Sequence, residues 1–129
     1  MFSVRRTARG QRSRVAAIRR LYRLFSHENS SEARGLRLLR SWLSPEQRED
    51  FDAKGYFDVT GCDSRTRYRI RYGTAMNVHE LDEAGQFTMG WCFVPDGSLV
   101  AGDVMLAQKI ALETSEYAAL AVAKRFLAR

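Results

Sequence analysis

Arginines with no acidic partners crowd the start of the chain. Eight of them precede Glu28, the first acidic residue: Arg5, Arg6, Arg9, Arg12, Arg14, Arg19, Arg20 and Arg23. The rest of the 21 Lys and Arg residues and all 15 Asp and Glu residues lie within residues 28–129. This part therefore carries about −2, while the whole chain carries +6. Contacts between guanidinium groups and phosphates do not depend on the base sequence. We expect this arm to contact an anionic partner such as nucleic acid. The alternatives are an arm that stays solvated and binds nothing, a contact with a partner protein, and an acidic membrane surface.

A second basic group alternates along a predicted strand. Arg67, Arg69 and Arg71 fall on one face of that strand, and Tyr68, Ile70 and Tyr72 fall on the other. One interpretation is a ridge of arginines that holds phosphates. The other is a solvated strand face whose arginines pair with cross-strand acids such as Glu80. A sheet of the RNP type would also need exposed aromatic rings among its arginines, whereas these rings are expected to face the core.

Thiol and imidazole groups give an alternative chemistry. Cys62 lies in a predicted turn close to Arg65 and Arg67, which could activate its thiol with help from His79, so a thiol-based enzyme or redox sensor remains a hypothesis. Cys92 is expected to be a buried core residue. The cysteines and histidines lack the close ligand pairs of zinc sites, so neither a metal nor another cofactor is predicted. No P-loop, dinucleotide, zincin or nucleophile-elbow motif occurs.

Composition narrows the class of protein. The chain has 129 residues, 45% of them hydrophobic and 28% charged, which is typical of one soluble globular domain. It contains no apolar run long enough to span a membrane, and two cysteines do not make a disulfide framework. A cytoplasmic setting is therefore expected. The arginine-rich, acid-free start would also suit a transit peptide if the source were eukaryotic.

Helices are predicted at both ends of the chain. We expect residues 1–30 to form an arm that is partly disordered, with an apolar stripe at helical spacing over residues 12–26. A second helix is predicted over residues 32–43. Ser44, Pro45 and Gln47 form a capping box that starts a third helix, which should end at Gly55. Asp103 is expected to cap a helix over residues 104–113, and another helix should continue through Phe126.

Between these helices the period of the apolar residues changes to two. Strands are predicted over residues 56–60, 66–72, 76–81 and 86–93, and their short connections make neighbours antiparallel. A sheet with one apolar face needs covering, so the prediction is an α+β domain over residues 31–129: a four-stranded antiparallel meander covered by N-terminal and C-terminal helices.

Several segments resemble a group of short, uncharacterised bacterial proteins. The resemblance is carried by Leu43–Gln47, Gly55–Gly61, Arg67–Ile70, Asn77–Val78 and Gly102–Lys109, and it excludes the first 40 or so residues. It implies the helix–meander–helix order and a bacterial source. It carries no activity, ligand or catalytic residue to this chain.

The sequence therefore favours a small non-catalytic binding module. Its arm would attract nucleic acid or another anionic surface, and its body would contact a protein partner or a second copy of the chain. A structural, oligomerising protein is the third hypothesis, because Ala118, Ala119, Ala121 and Ala123 would let the last helix pack closely against a symmetry mate.

Overall fold

A computed structural model describes residues 14–20, 30–93 and 100–126. Residues 14–20 are helical (α1). The elements that follow are α2 (Ser31–Trp42), α3 (Pro45–Lys54), β1 (Tyr56–Thr60), β2 (Arg67–Arg71), β3 (Val78–Leu81), β4 (Phe87–Cys92), α4 (Ala101–Thr114), α5 (Glu116–Val122) and β5 (Lys124–Phe126). The predicted α+β class, with an antiparallel sheet between N-terminal and C-terminal helices in the chain, is confirmed.

The sheet is a simple meander, but it has five strands where four were predicted. Its order is β1-β2-β3-β4-β5, and every neighbouring pair is antiparallel. The extra strand replaces the end of the predicted last helix, because the chain leaves α5 at Ala123 in an extended conformation and pairs with β4. The ring of Phe126 lies against Gly90, where an added Cβ would be only 2.1 Å from the ring. This contact explains why Phe126 lies in a strand and not in the predicted helix.

The helix α3 begins and ends as its sequence predicts. The Ser44 hydroxyl accepts a hydrogen bond from the Gln47 amide at 3.1 Å, and the Gln47 side chain accepts one from the Ser44 amide at 3.0 Å. Gly55 follows the helix with φ of 81°, the left-handed conformation that favours glycine. The strand β1 starts at the next residue, so these caps set the position of its first side chain.

The start of α4 differs from its prediction. Asp103 lies in the first turn and is not the N-cap; that position belongs to Val100, which makes no side-chain cap. The helix begins earlier than expected because Ala101 and Gly102 are both buried against the rest of the protein. Tertiary packing here outweighs the capping preference of aspartate, and the carboxylate still lies where the helix dipole favours an anion.

One hydrophobic core lies between the sheet and the helices. It combines large residues of the sheet with residues of the helices: Phe57, Val59, Tyr68, Ile70 and Val78 with Ile18, Leu36, Leu39, Phe51, Met105 and Leu112. Ile18 of α1 is only 6% exposed, so the described part of the arginine-rich segment contributes to this core. Within the described ranges, no helix has the length and apolar character to cross a bilayer.

A buried carboxylate attaches the first sheet turn to α5. Glu116 is fully buried and accepts hydrogen bonds from the backbone amides of Asp63 (2.9 Å) and Ser64 (2.7 Å), from the Ser64 hydroxyl, and from the Tyr68 hydroxyl (2.5 Å). Burial alone would raise the pKa of Glu116, but these donors outweigh it and lower the pKa. No pattern in the sequence predicted this buried charge.

Candidate functional site

The strand β2 presents its arginines on the side of the sheet away from the core. Tyr68 and Ile70 are buried, as the alternation predicts, and Arg67 is exposed while Arg69 and Arg71 are half-buried. Directly opposed residues of antiparallel strands share a face, so the register adds further side chains to this side. We call this surface the outer face: Tyr56, Asp58, Arg67, Arg69, Arg71, His79, Phe87 and Phe126.

One acid on the outer face pairs with two of the arginines. The Arg69 guanidinium donates to both oxygens of Asp58, at 2.8 and 3.1 Å, and Arg67 lies 3.9 Å from the same carboxylate. The cross-strand acid suggested by the sequence was Glu80, and that assignment is wrong. Glu80 lies opposite Tyr68, on the core side, and accepts a hydrogen bond from the Trp91 indole at 3.1 Å.

Arg71 lacks such an acid. In the described part of the chain, no carboxylate oxygen lies within 4.0 Å of its guanidinium group. The group lies instead between two rings, 5.0 Å from the centroid of Phe87 and 5.5 Å from that of Tyr56. Burial and the neighbouring charges of Arg14 and Arg69 lower its pKa. Among the described residues, the positive charge of Arg71 at this end of β2 therefore has no carboxylate paired directly with it.

Aromatic rings do occur among the arginines, which the sequence analysis did not anticipate. Tyr68 faces the core as expected, but Tyr56 comes from β1 and Phe87 from β4. Arg69 lies 3.9 Å above the Tyr56 centroid, a close cation–π contact. The alternation of Tyr56 with Phe57 and Val59 in β1 could have predicted that Tyr56 faces away from the core. Its place among the arginines follows only when the strands are placed side by side.

The described part of the arm lies next to the outer face. Arg14, Arg19 and Arg20 are exposed on α1, while Ile18 anchors that helix in the core beside Gly55. The other candidate arginines of the arm lie outside the described residues: Arg5, Arg6, Arg9, Arg12 and Arg23. Arg14 and Arg71 line the same open cleft, of about 310 Å³, so the structure brings together one arginine from each of the two predicted basic groups.

His79 lies in the middle of the outer face, directly opposite Arg69. Its ring stacks on Phe87 at 4.9 Å and meets Phe126 edge-on at 5.6 Å. Burial, followed by the charges of Arg71 and Arg69, lowers its pKa, so the ring is neutral at neutral pH. Its Nδ1 atom is buried without a hydrogen-bond partner among the described residues.

The cysteines do not join these groups in a shared site. Cys62 is exposed in the turn after β1, and its Sγ accepts a weak hydrogen bond from the Glu116 amide at 3.5 Å. Neither Arg67 nor His79 has a hydrogen bond to that sulfur in the part of the chain that the structure describes. Cys92 is half-buried in β4. Over the same ranges, no three His, Cys, Asp or Glu side chains lie close enough together to hold a metal ion.

Comparison of the chain with protein-family models, with curated proteins and with solved structures found no match.

Proposed function

We propose that this protein is a small non-catalytic binding module whose basic N-terminal segment contacts an anionic partner, with nucleic acid as the favoured class. The observation that supports the proposal most directly is the position of α1. Its buried Ile18 fixes the helix on the body, and Arg14, Arg19 and Arg20 point away from the core into solvent. Cations on an anchored helix attract a polyanion at a smaller ordering cost than cations on a free tail would.

The layout of charge gives independent support. The eight arginines before Glu28 meet no acidic residue in their own segment, while the remainder of the chain is close to neutral. The described arginines of that segment, Arg14, Arg19 and Arg20, all lie on α1, so attraction to phosphates would include that helix. Binding of this kind releases counterions and is strongly salt-dependent.

The test is a salt titration of binding, by fluorescence anisotropy, with a generic single strand and a generic duplex. The test variant carries Arg14→Gln, Arg19→Gln and Arg20→Gln, which leaves Ile18 in the core. The control variant removes three exposed cations elsewhere: Arg34→Gln, Arg37→Gln and Arg125→Gln. If the three α1 arginines contact phosphates, the log–log salt slope for single strands should become shallower by about 2 in the test variant alone.

Equal effects of the two variants would contradict a role for α1, because both lose the same net charge. Binding to anionic lipid vesicles without binding to either nucleic acid would reject nucleic acid as the partner class. Thermal melting of each variant shows whether the fold is intact.

A further inference from the structure

We infer that the cleft between α1 and the end of β2 is a binding site for a nucleotide unit. Arg14 and Arg71 would bind its phosphate, and the less polar wall would receive its base. The inference rests on the proposed function and deepens it, because it names the surface and the chemical class of the ligand. The cleft is lined by Arg14, Ala17, Ile18, Gly55, Arg71 and Tyr72.

The first argument is the charge of the cleft. Two guanidinium groups line it, and neither has an ion-pair partner in the described ranges. Like charges at one cleft repel each other, and the charge of Arg14, after burial, lowers the pKa of Arg71. A phosphate bound between them would relieve this repulsion and accept charge-assisted hydrogen bonds from both groups.

The second argument is the way Arg71 is held. Tyr56 of β1 and Phe87 of β4 contact the guanidinium group, so its position is set before any ligand arrives. Its N–H groups are not used by a carboxylate within the described residues. A guanidinium group in this state is suited to in-plane recognition of phosphate.

The third argument is the composition and size of the cleft. Ala17, Ile18, Gly55 and the Tyr72 ring add a mostly apolar wall beside the two charges. A volume of about 310 Å³ is at the lower end of small-molecule sites and is suited to one nucleotide rather than a folded partner. A base can enter only if it is unpaired, so the site would favour a single strand over a duplex.

Two adjacent alanines offer a matched test. Ala16 and Ala17 are both exposed on α1, but only Ala17 lines the cleft. Ala17→Glu would place a carboxylate beside Arg14 in the cleft, and Ala16→Glu makes the same change of charge and helix propensity outside it. We expect Ala17→Glu to weaken binding of a fluorescent oligothymidylate by about tenfold more than Ala16→Glu, since it competes for hydrogen bonds to charged groups.

A second pair of variants tests Arg71. Arg71→Gln should weaken the same complex by about tenfold. Arg125→Gln, an exposed arginine on the opposite face of the sheet, should have a much smaller effect. Circular dichroism and thermal melting confirm that each variant is folded before binding is compared.

Competition distinguishes the sources of the phosphate. Adenosine monophosphate should displace the labelled strand, whereas adenosine at the same concentration should not. Displacement by inorganic phosphate as effective as that by the nucleotide would overturn the role of the apolar wall. If the unmodified chain binds the labelled strand, and Ala16→Glu and Ala17→Glu weaken this binding equally, the cleft is not the binding site. That result would leave the proposed function standing. Absence of binding to any polyanion by the unmodified chain would reject both.

Discussion

Gly35 of α2 and Gly102 of α4 are in backbone contact. A Cβ atom built on Gly102 would lie 2.2 Å from the carbonyl carbon of Gly35 and 2.3 Å from its oxygen. A Cβ atom on Gly35 would lie 2.6 Å from the Val100 side chain at the start of α4. The two helices that cover the core therefore cross at a point where neither can carry a side chain.

This contact predicts the sign of a substitution. In an exposed helix, glycine to alanine stabilises by up to about 1 kcal/mol. Gly102→Ala should instead lower the free energy of unfolding by about 2 kcal/mol or more, because the added methyl group forces the helices apart. Chemical denaturation measures the difference, and a stabilised variant would show that the helices do not meet at these residues.

The same pair shows what sequence reasoning could and could not predict. Gly35 alone looks like a weak point in a helix, because its role depends on a partner 67 positions later. Features that depend only on nearby residues were predicted correctly. The capping box at Ser44 and the alternation around Tyr68 each depend on neighbours within a few residues, and both are confirmed. The strand at Phe126 was missed because three residues carry too little periodicity, and its pairing with Gly90 is a tertiary event.

The outer face follows the same logic. The alternation of Arg67, Arg69 and Arg71 lies within one strand and was predicted. The residues around these arginines were not predicted, because Asp58 and the aromatic rings come from other strands, and their positions depend on the register of the sheet. The contribution of Ile18 to the core likewise depends on where α1 docks.

Glu116 predicts a specific response to acid. Its pKa in the folded protein lies below the ordinary value of 4.5, since its hydrogen-bond donors outweigh burial. The stability that it contributes is present above that ordinary value and is lost as the pH falls through the lower, folded-state pKa. Glu116→Gln should lower the free energy of unfolding near neutral pH by about 2 to 3 kcal/mol, because the uncharged amide oxygen is a weaker acceptor for the two backbone amides and the NH₂ group replaces the oxygen that accepts from the Ser64 and Tyr68 hydroxyls.

The difference between Glu116→Gln and the unmodified chain should shrink as the pH falls below about 4.5, because both then carry a neutral side chain at this position. Urea denaturation at a series of pH values measures this. Glu83→Gln, at an exposed residue in the turn before β4, serves as the control and should leave the acid response unchanged. A constant difference at all pH values would mean that Glu116 is not ionised in the folded protein.

A buried amide pair predicts non-additive energetics. Asn77 and Gln108 donate to each other's side-chain oxygens at 2.9 and 3.0 Å, and both are almost fully buried. Removing one partner leaves the buried side-chain oxygen of the other without its donor, so Asn77→Ala and Gln108→Ala should together cost less than the sum of their separate effects, by about 1 to 2 kcal/mol. A double-mutant cycle of unfolding free energies measures the coupling. Strict additivity would show that the two amides do not interact in solution.

Removing the acid of the outer face should strengthen binding to a single strand. Asp58→Asn ends the bidentate pair with Arg69 and the weaker attraction to Arg67, and so releases guanidinium groups beside Arg71. If one of them then contacts a phosphate, the log–log salt slope should steepen by about 0.7. Glu46→Gln makes the same change of net charge at an exposed position in α3 and should leave the slope nearly unchanged. Tighter binding in both variants would indicate a response to net charge alone, whereas a gain confined to Asp58→Asn would locate the polyanion on the outer face.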